Sequence, residues 1–337
     1  MKILFASSEV GLGHITRDLH LAMHMPWASV TWVTGGLALR YLEERNAPIH
    51  KVSYIRQDLT RCIEALFRGG VFKPSYSALG SLVKAARLNA ETLKENLNLD
   101  EYDGVVADEF WDLVLYKSIP CRSVFITDFI KFKPISSFVQ HLFSPFVNRS
   151  LSNALRKFDI RLYIGLDSSV KHDRFEHYGQ IFTHNYNPRV VEDGGAVISV
   201  GGTSAGAVLI EKATGVLKRL KLDYDILGPP PWYKSDPLTY IASSRLVITL
   251  GGYSTLIEVA RFRKRAIITP LGRDFEQRDN AKVFEGRSGY RVIPLNELNE
   301  KILRRYVEET LQETPDPPKF IDASETIAAR IRECIKS

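Results

Sequence analysis

The chain has 337 residues, 45% hydrophobic and 25% charged, ordinary values for a folded globular protein and enough length for about two domains. A net charge of +6 spread along the chain does not single out nucleic acid over phosphorylated ligands or anionic lipid. Three scattered cysteines, Cys62, Cys121 and Cys334, exclude a disulfide framework and a cysteine metal site and fit a reducing cytosol, and no stretch approaches the roughly 18 apolar residues of a membrane span.

In chain order, the first strand is expected at Ile3–Ala6, a stretch too short and without the cleavage pattern of a secretion signal. It runs into Gly11-Leu-Gly-His-Ile-Thr-Arg17, a Gly-rich turn opening a helix, where backbone N–H groups can approach an anion and the helix start adds partial positive charge. Gly11 and Gly13 form the turn, Arg17 adds a cation suited to phosphate or an acidic acceptor, and His14 stands where it can take a proton from a hydroxyl. The spacing is not G-x-G-x-x-G, and no G-x-x-x-x-G-K-[ST] occurs, which disfavours a nicotinamide enzyme or a P-loop ATPase. Further strands are expected at Ser29–Val33, Gly104–Ala107, Arg122–Thr127 and Arg161–Ile164, alternating with helical patterns in the rhythm of a parallel sheet. Phe129, Phe132, Phe138, Phe143 and Phe146, interleaved with Lys131, Lys133, His141 and Arg149, read as a helix packing on the core, with docking on lipid as the alternative.

A polar stretch over 166–195 reads as the linker between a first domain, 1–165, and a second, 196–337, whose last helix has the option of crossing back. The second series of strands is expected at Ala196–Val200, Tyr224–Leu227, Leu246–Thr249, Ala266–Thr269 and Arg291–Ile293. The fold class is α/β, two doubly wound Rossmann-like domains with a ligand cleft between the carboxyl ends of their strands.

Two loops in the second domain suit a nucleotide, and a third is of the amide-rich kind that reads sugars or of the solvated kind. Gly201, Gly202, Thr203 and Ser204 lie at a strand-to-helix turn and can hold a diphosphate. Gly251 and Gly252 lead into a helix offering Ser254, Thr255 and Glu258, the last able to accept both hydrogen bonds of a ribose diol. Pro270–Asn280 clusters amides and charges after a strand. Asp223-Tyr-Asp225 lies in an expected strand and is given no metal role.

These residues resemble the GT-B glycosyltransferases, and within them glycosyltransferase family 28, along nearly the whole chain. Gly251-Gly-Tyr-Ser-Thr-Leu-Ile-Glu258 looks like the family's donor motif, which implies a phosphate-holding turn and a glutamate on the ribose of a uridine nucleotide. Pro270–Asn280 is similar to the segment that contacts the donor sugar, implying roles for Gln277 and Asn280. Gly13-His-Ile-Thr-Arg-Asp-Leu-His-Leu-Ala22 resembles the pattern G-H-x-x-P-x-x-x-L-A, with Arg17 in place of the proline. The resemblance implies His14 as general base, oriented by Asp108 or, second, Asp128.

The expectation is a metal-independent inverting hexosyltransferase without a cofactor. It moves a sugar, N-acetylglucosamine among the candidates, from a UDP-linked donor to a hydroxyl acceptor, lipid-linked in the family's type case. Nucleic acid is not among the expected partners. The expected location is the cytoplasm, with peripheral contact at the inner face of the membrane as an option. A nucleotide-sugar 2-epimerase or hydrolase and a non-catalytic nucleotide- or anion-binding protein remain open alternatives.

Overall fold

The computed structural model describes residues 1–131, 133, 138–184 and 194–337, with the side chains of residues 138–143 outside the description. The chain divides into two compact units. The first holds Met1–Ala65, Pro74–His184 and Ile321–Ser337; the second holds Leu66–Lys73 and Asn185–Phe320.

The first unit is built on a parallel sheet of β1 (Lys2–Ser7), β2 (Ser29–Val33), β3 (Gly104–Asp108), β4 (Arg122–Thr127), β5 (Ile160–Tyr163) and β6 (Glu176–His177), in the order β2-β1-β3-β4-β5-β6. Their central strands are almost wholly apolar and buried, as a sheet covered on both faces requires. Five of these strands fall within one or two residues of their expected ends; β6 carries only two residues and no apolar run to announce it. In the register, Ser7 at the end of β1 stands beside Asp108 at the end of β3, and Asp108 stands beside Ile126 of β4. Three strand ends, and the helix Gly13–Met23 that follows β1, therefore converge at one edge.

The second unit has a parallel sheet of β7 (Ala196–Ser199), β8 (Tyr224–Leu227), β9 (Leu246–Thr249), β10 (Arg265–Ile268) and β11 (Tyr290–Val292), ordered β8-β7-β9-β10-β11. Helices Ala207–Arg219 and Glu300–Gln312 bury Leu209, Ala213, Val216, Leu303 and Val307 against it.

Two short segments group differently from the expected spans. The hairpin of Phe67–Arg68 and Val71–Phe72 joins the second unit, where the Phe72 amide donates to the Gly272 carbonyl at 2.7 Å and Gly70 packs on Leu295. The final helix, Ser324–Lys336, joins the first unit, where the Gln180 amide donates to the Ile321 carbonyl at 2.9 Å, His20 pairs with Asp322, and Arg330 forks onto Glu176. Phe146, expected to pack on the core, is 70% exposed; Phe132 and the side chains of Phe138, His141 and Phe143 lie outside the described residues. No helix among the described residues is long and apolar enough to cross a membrane.

Candidate active site

In the first unit, Gly11 sits at φ +78°, a conformation that favours glycine, and turns the chain from β1 into the helix Gly13–Met23. That helix carries Ile15 and Leu21 into the core and, unusually, buries Arg17, Asp18 and His20 as well. His14 stays partly open, its side chain 15% exposed, with Nδ1 3.2 Å from Asp108 Oδ2. The pairing expected from the resemblance, His14 with Asp108, is thus brought together by the alignment of strand ends. Asp128, the second candidate, lies against Arg17 instead.

Arg17 departs from the expected role. Its side chain is 1% exposed, so it offers no cation to a phosphate. The guanidinium forks onto Asp108, Nε to Oδ2 and Nη2 to Oδ1, both at 2.6 Å, and Nη1 donates to Asp128 Oδ2 at 2.9 Å. Nη2 also stands 3.0 Å from His14 Nδ1. Burial alone would raise the Asp108 carboxyl, but Arg17 and then His14 hold it well below the usual carboxylate range. Burial works against the Arg17 charge, yet Asp108 and Asp128 raise its pKa further, so the cation is permanent.

Two acids that sequence reasoning passed over complete the cluster. Asp18 is pushed well up by burial and then by Asp108. Glu109, at a left-handed φ of +45°, is pushed well up by burial and then by Asp128. Its Oε1 accepts from the Thr127 hydroxyl at 2.8 Å and the Asp128 amide at 3.1 Å. A second buried network braces the loop before Gly11. Arg56 Nη1 donates to Glu9 Oε2 at 3.1 Å, Nη2 bonds Asp112 Oδ2, and Glu9 Oε1 accepts from the Leu59 amide at 3.0 Å. A Cβ on Gly35 would come within 2.9 Å of Arg56 Nη1, so that glycine makes room for the cation. The spacing of His14 and Arg17, three apart on one helix face, was a readable signal of their contact. Glu9, Arg56 and Asp112 have no such signal, being far apart in sequence.

In the second unit, Gly201 is exposed at φ +70°, with open space where a Cβ would stand. Gly202 and Thr203 are half-buried and Ser204 is exposed. Gly252 caps the helix Tyr253–Arg261 with extended backbone, again with no atom near a Cβ position. Ser254 and Thr255 are half-buried in its first turn, and Glu258 is 3% exposed one turn further on. Gly251 is confined: a Cβ there would lie 2.3 Å from the Gln277 carbonyl oxygen.

Gln277 and Asn280 serve this turn. Gln277 Oε1 accepts from the amides of Gly251 at 3.3 Å and Leu271 at 3.1 Å, and Asn280, buried, donates to the Gly251 carbonyl at 3.3 Å. The expectation that both read the donor sugar is corrected to this extent: the Gln277 side-chain oxygen and the Asn280 amide are engaged in joining the helix Phe275–Lys282 to the glycine turn.

Residues 231–336, which include the Gly251–Glu258 turn and helix, match the glycosyltransferase family 28 C-terminal domain. The chain is 36% identical over 99 residues to a Sinorhizobium fredii UDP-N-acetylglucosamine--N-acetylmuramyl-(pentapeptide) pyrophosphoryl-undecaprenol N-acetylglucosamine transferase, covering 28% of this chain and 26% of that protein. It is 33% identical over 81 residues to the Rubrobacter xylanophilus protein of the same description, covering 23% of this chain and 24% of that one. The chain thus spans about a quarter of the length of these curated relatives.

Among solved structures, the Acinetobacter baumannii MurG aligns at a TM-score of 0.56 and 15% identity over 98% of this chain and 99% of that one. The glycosyltransferase SsfS6 of Streptomyces sp. SF2575, complexed with thymidine diphosphate, aligns at 0.58 and 11% identity over 100% of each chain. The fold of the chain is therefore that of the GT-B glycosyltransferases, with two Rossmann-like units.

Proposed function

We propose that the protein is a glycosyltransferase that moves a sugar from a nucleoside diphosphate, UDP-linked as in its curated relatives, to a hydroxyl acceptor with inversion and without a required metal or cofactor. The observation that carries this reading is the family 28 match over the turn and helix Gly251–Glu258, whose Gly252 leaves its backbone open to a ligand. In this reading the Gly251–Thr255 turn and the Gly201–Ser204 loop stabilise the departing diphosphate through backbone and hydroxyl donors, as a metal does elsewhere. Glu258 receives the ribose. His14, partly open and beside Asp108, takes the acceptor's proton. A lipid-linked acceptor, and with it contact at the membrane surface, follows from the relatives' description and forms part of the proposal.

The test is a thermal-shift panel of uridine, thymidine, guanosine and adenosine diphosphates on the wild type and Glu258→Ala. Ligand at 100 times its dissociation constant adds about 2.7 kcal/mol of stability, ample for detection. Selective stabilisation by the uridine nucleotide, lost in the variant, is expected; no shift with any nucleotide overturns the reading.

A further inference from the structure

We infer that Arg17 is a positioning residue that holds neutral His14 with its proton on Nε2, so that the base-competent form of the imidazole forms only against the guanidinium. The inference rests on the proposed role of His14 and adds to it a buried residue three positions further along the same helix.

Arginine has five N–H donors and no acceptor, and its charge persists in proteins. Arg17 Nη2 has two hydrogens. One serves Asp108 Oδ1 at 2.6 Å, and the other faces His14 Nδ1 at 3.0 Å. A neutral imidazole has one protonated nitrogen, so an Nδ1 that accepts from Arg17 leaves the proton on Nε2.

A general base working through Nε2 needs the opposite arrangement, with Nδ1–H donating to the orienting carboxylate. Asp108 Oδ2 lies 3.2 Å from Nδ1, but it already accepts Arg17 Nε–H at 2.6 Å. Both oxygens of the orienting carboxylate are thus bonded to Arg17, and Oδ2 at shorter range than to His14. An Nδ1–H would point a second donor at the guanidinium.

To become a base, the ring loses the Nε2 proton to solvent and takes one at Nδ1, with no net change in charge, as it leaves Nη2 for Asp108. That form exchanges the bond from Arg17 for one to a carboxylate oxygen already held by Arg17 Nε–H, and it leaves the second Nη2 hydrogen without its acceptor. Among the described residues, Asp18, Asp128 and Glu109 are also packed around Arg17 and Asp108. The pattern predicts that the free protein presents an N–H donor, not a lone pair, at the exposed edge of His14.

The deciding experiment is a long-range proton–nitrogen NMR spectrum of the ¹⁵N-histidine-labelled full chain without substrate, at a pH where His14 is neutral, with the resonance assigned by His14→Gln. The expected wild-type signature is a protonated Nε2 and an unprotonated Nδ1. In the charge-balanced double variant Arg17→Met with Asp128→Asn, the signature is expected to reverse to Nδ1–H. A wild-type Nδ1–H signature overturns the inference, as does a double variant that keeps the wild-type signature. Because the spectrum is read without turnover, neither outcome touches the base assignment itself, which fails instead if His14→Ala retains full transfer.

Discussion

Replacing Arg17 by methionine removes the guanidinium that satisfies Asp108 twice and Asp128 once, while keeping much of the apolar volume. With the Arg17 side chain 1% exposed and Asp108 and Asp128 at 0% and 2%, the loss is that of a buried partner and not of a surface ion pair. Breaking a buried pair from one side costs about 3–5 kcal/mol, because the stranded carboxylates must be protonated or hydrated in place. A unit of this size loses about 2–4 °C of melting temperature per kcal/mol, so a drop on the order of 10 °C is expected at pH 7.

The pH dependence has a definite sign. Asp108 titrates below the usual carboxylate range in the folded protein, so its paired stabilisation is present above the unfolded pKa of about 4 and is lost as pH falls through the folded value. In the variant the carboxyls have no cation, so the gap between wild type and variant is widest at neutral pH and closes in acid. Differential scanning calorimetry at several pH values reads both. Adding Asp128→Asn should recover part of the loss, giving a coupling energy in a double-mutant cycle. A melting shift below about 3 °C at pH 7, the scale of an exposed pair, would refute the reasoning.

His14→Ala is expected to abolish transfer while leaving nucleotide binding within about twofold of wild type, since it removes a proton acceptor and not a donor contact; calorimetric titration beside a turnover assay separates the two. Gly251→Ala and Gly252→Ala should differ sharply. The first drives a methyl group to 2.3 Å from a backbone oxygen and should cost about 1–3 kcal/mol, whereas the second meets open space and should melt like wild type while weakening nucleotide affinity. Asp112 is pushed up to about 6 by burial that outweighs the pull of Arg56, so its contribution to stability is full below pH 4 and lost as pH rises through 6. Asp112→Asn should therefore flatten the stability profile between pH 4 and 7 in urea titrations, and an unchanged slope would refute the assignment. Asp322 is held at about 2, against burial, by hydrogen bonds from His20 and Ser324. With part of that effect screened at its open edge, Asp322→Asn should cost about 1 kcal/mol at pH 7 and raise amide exchange in the helix Ser324–Lys336.

The sequence by itself determined the alternation of strands and helices, because each strand is a short apolar run and each turn is marked by glycine or proline. Ten of the eleven strands of the two parallel sheets were legible in this way; β6 and the hairpin of Phe67–Arg68 and Val71–Phe72 were not, for two-residue strands hold no pattern. It also determined the glycine turns at Gly11, Gly201 and Gly251, since left-handed backbone and close approach restrict the residue type wherever they occur. What only the tertiary structure decided is how polar side chains on different elements are used. Gln277 and Asn280 read as sugar-binding amides, but the packing of their helix against Gly251 commits the Gln277 side-chain oxygen and the Asn280 side-chain nitrogen to backbone groups. Arg17 read as a cation for a phosphate or an acidic acceptor, but the parallel register that aligns the ends of β1 and β3, and Asp128 beyond β4, surrounds it with carboxylates. A charged side chain takes its role from the charges that burial brings within a few ångströms, and those lie about a hundred residues away in the chain.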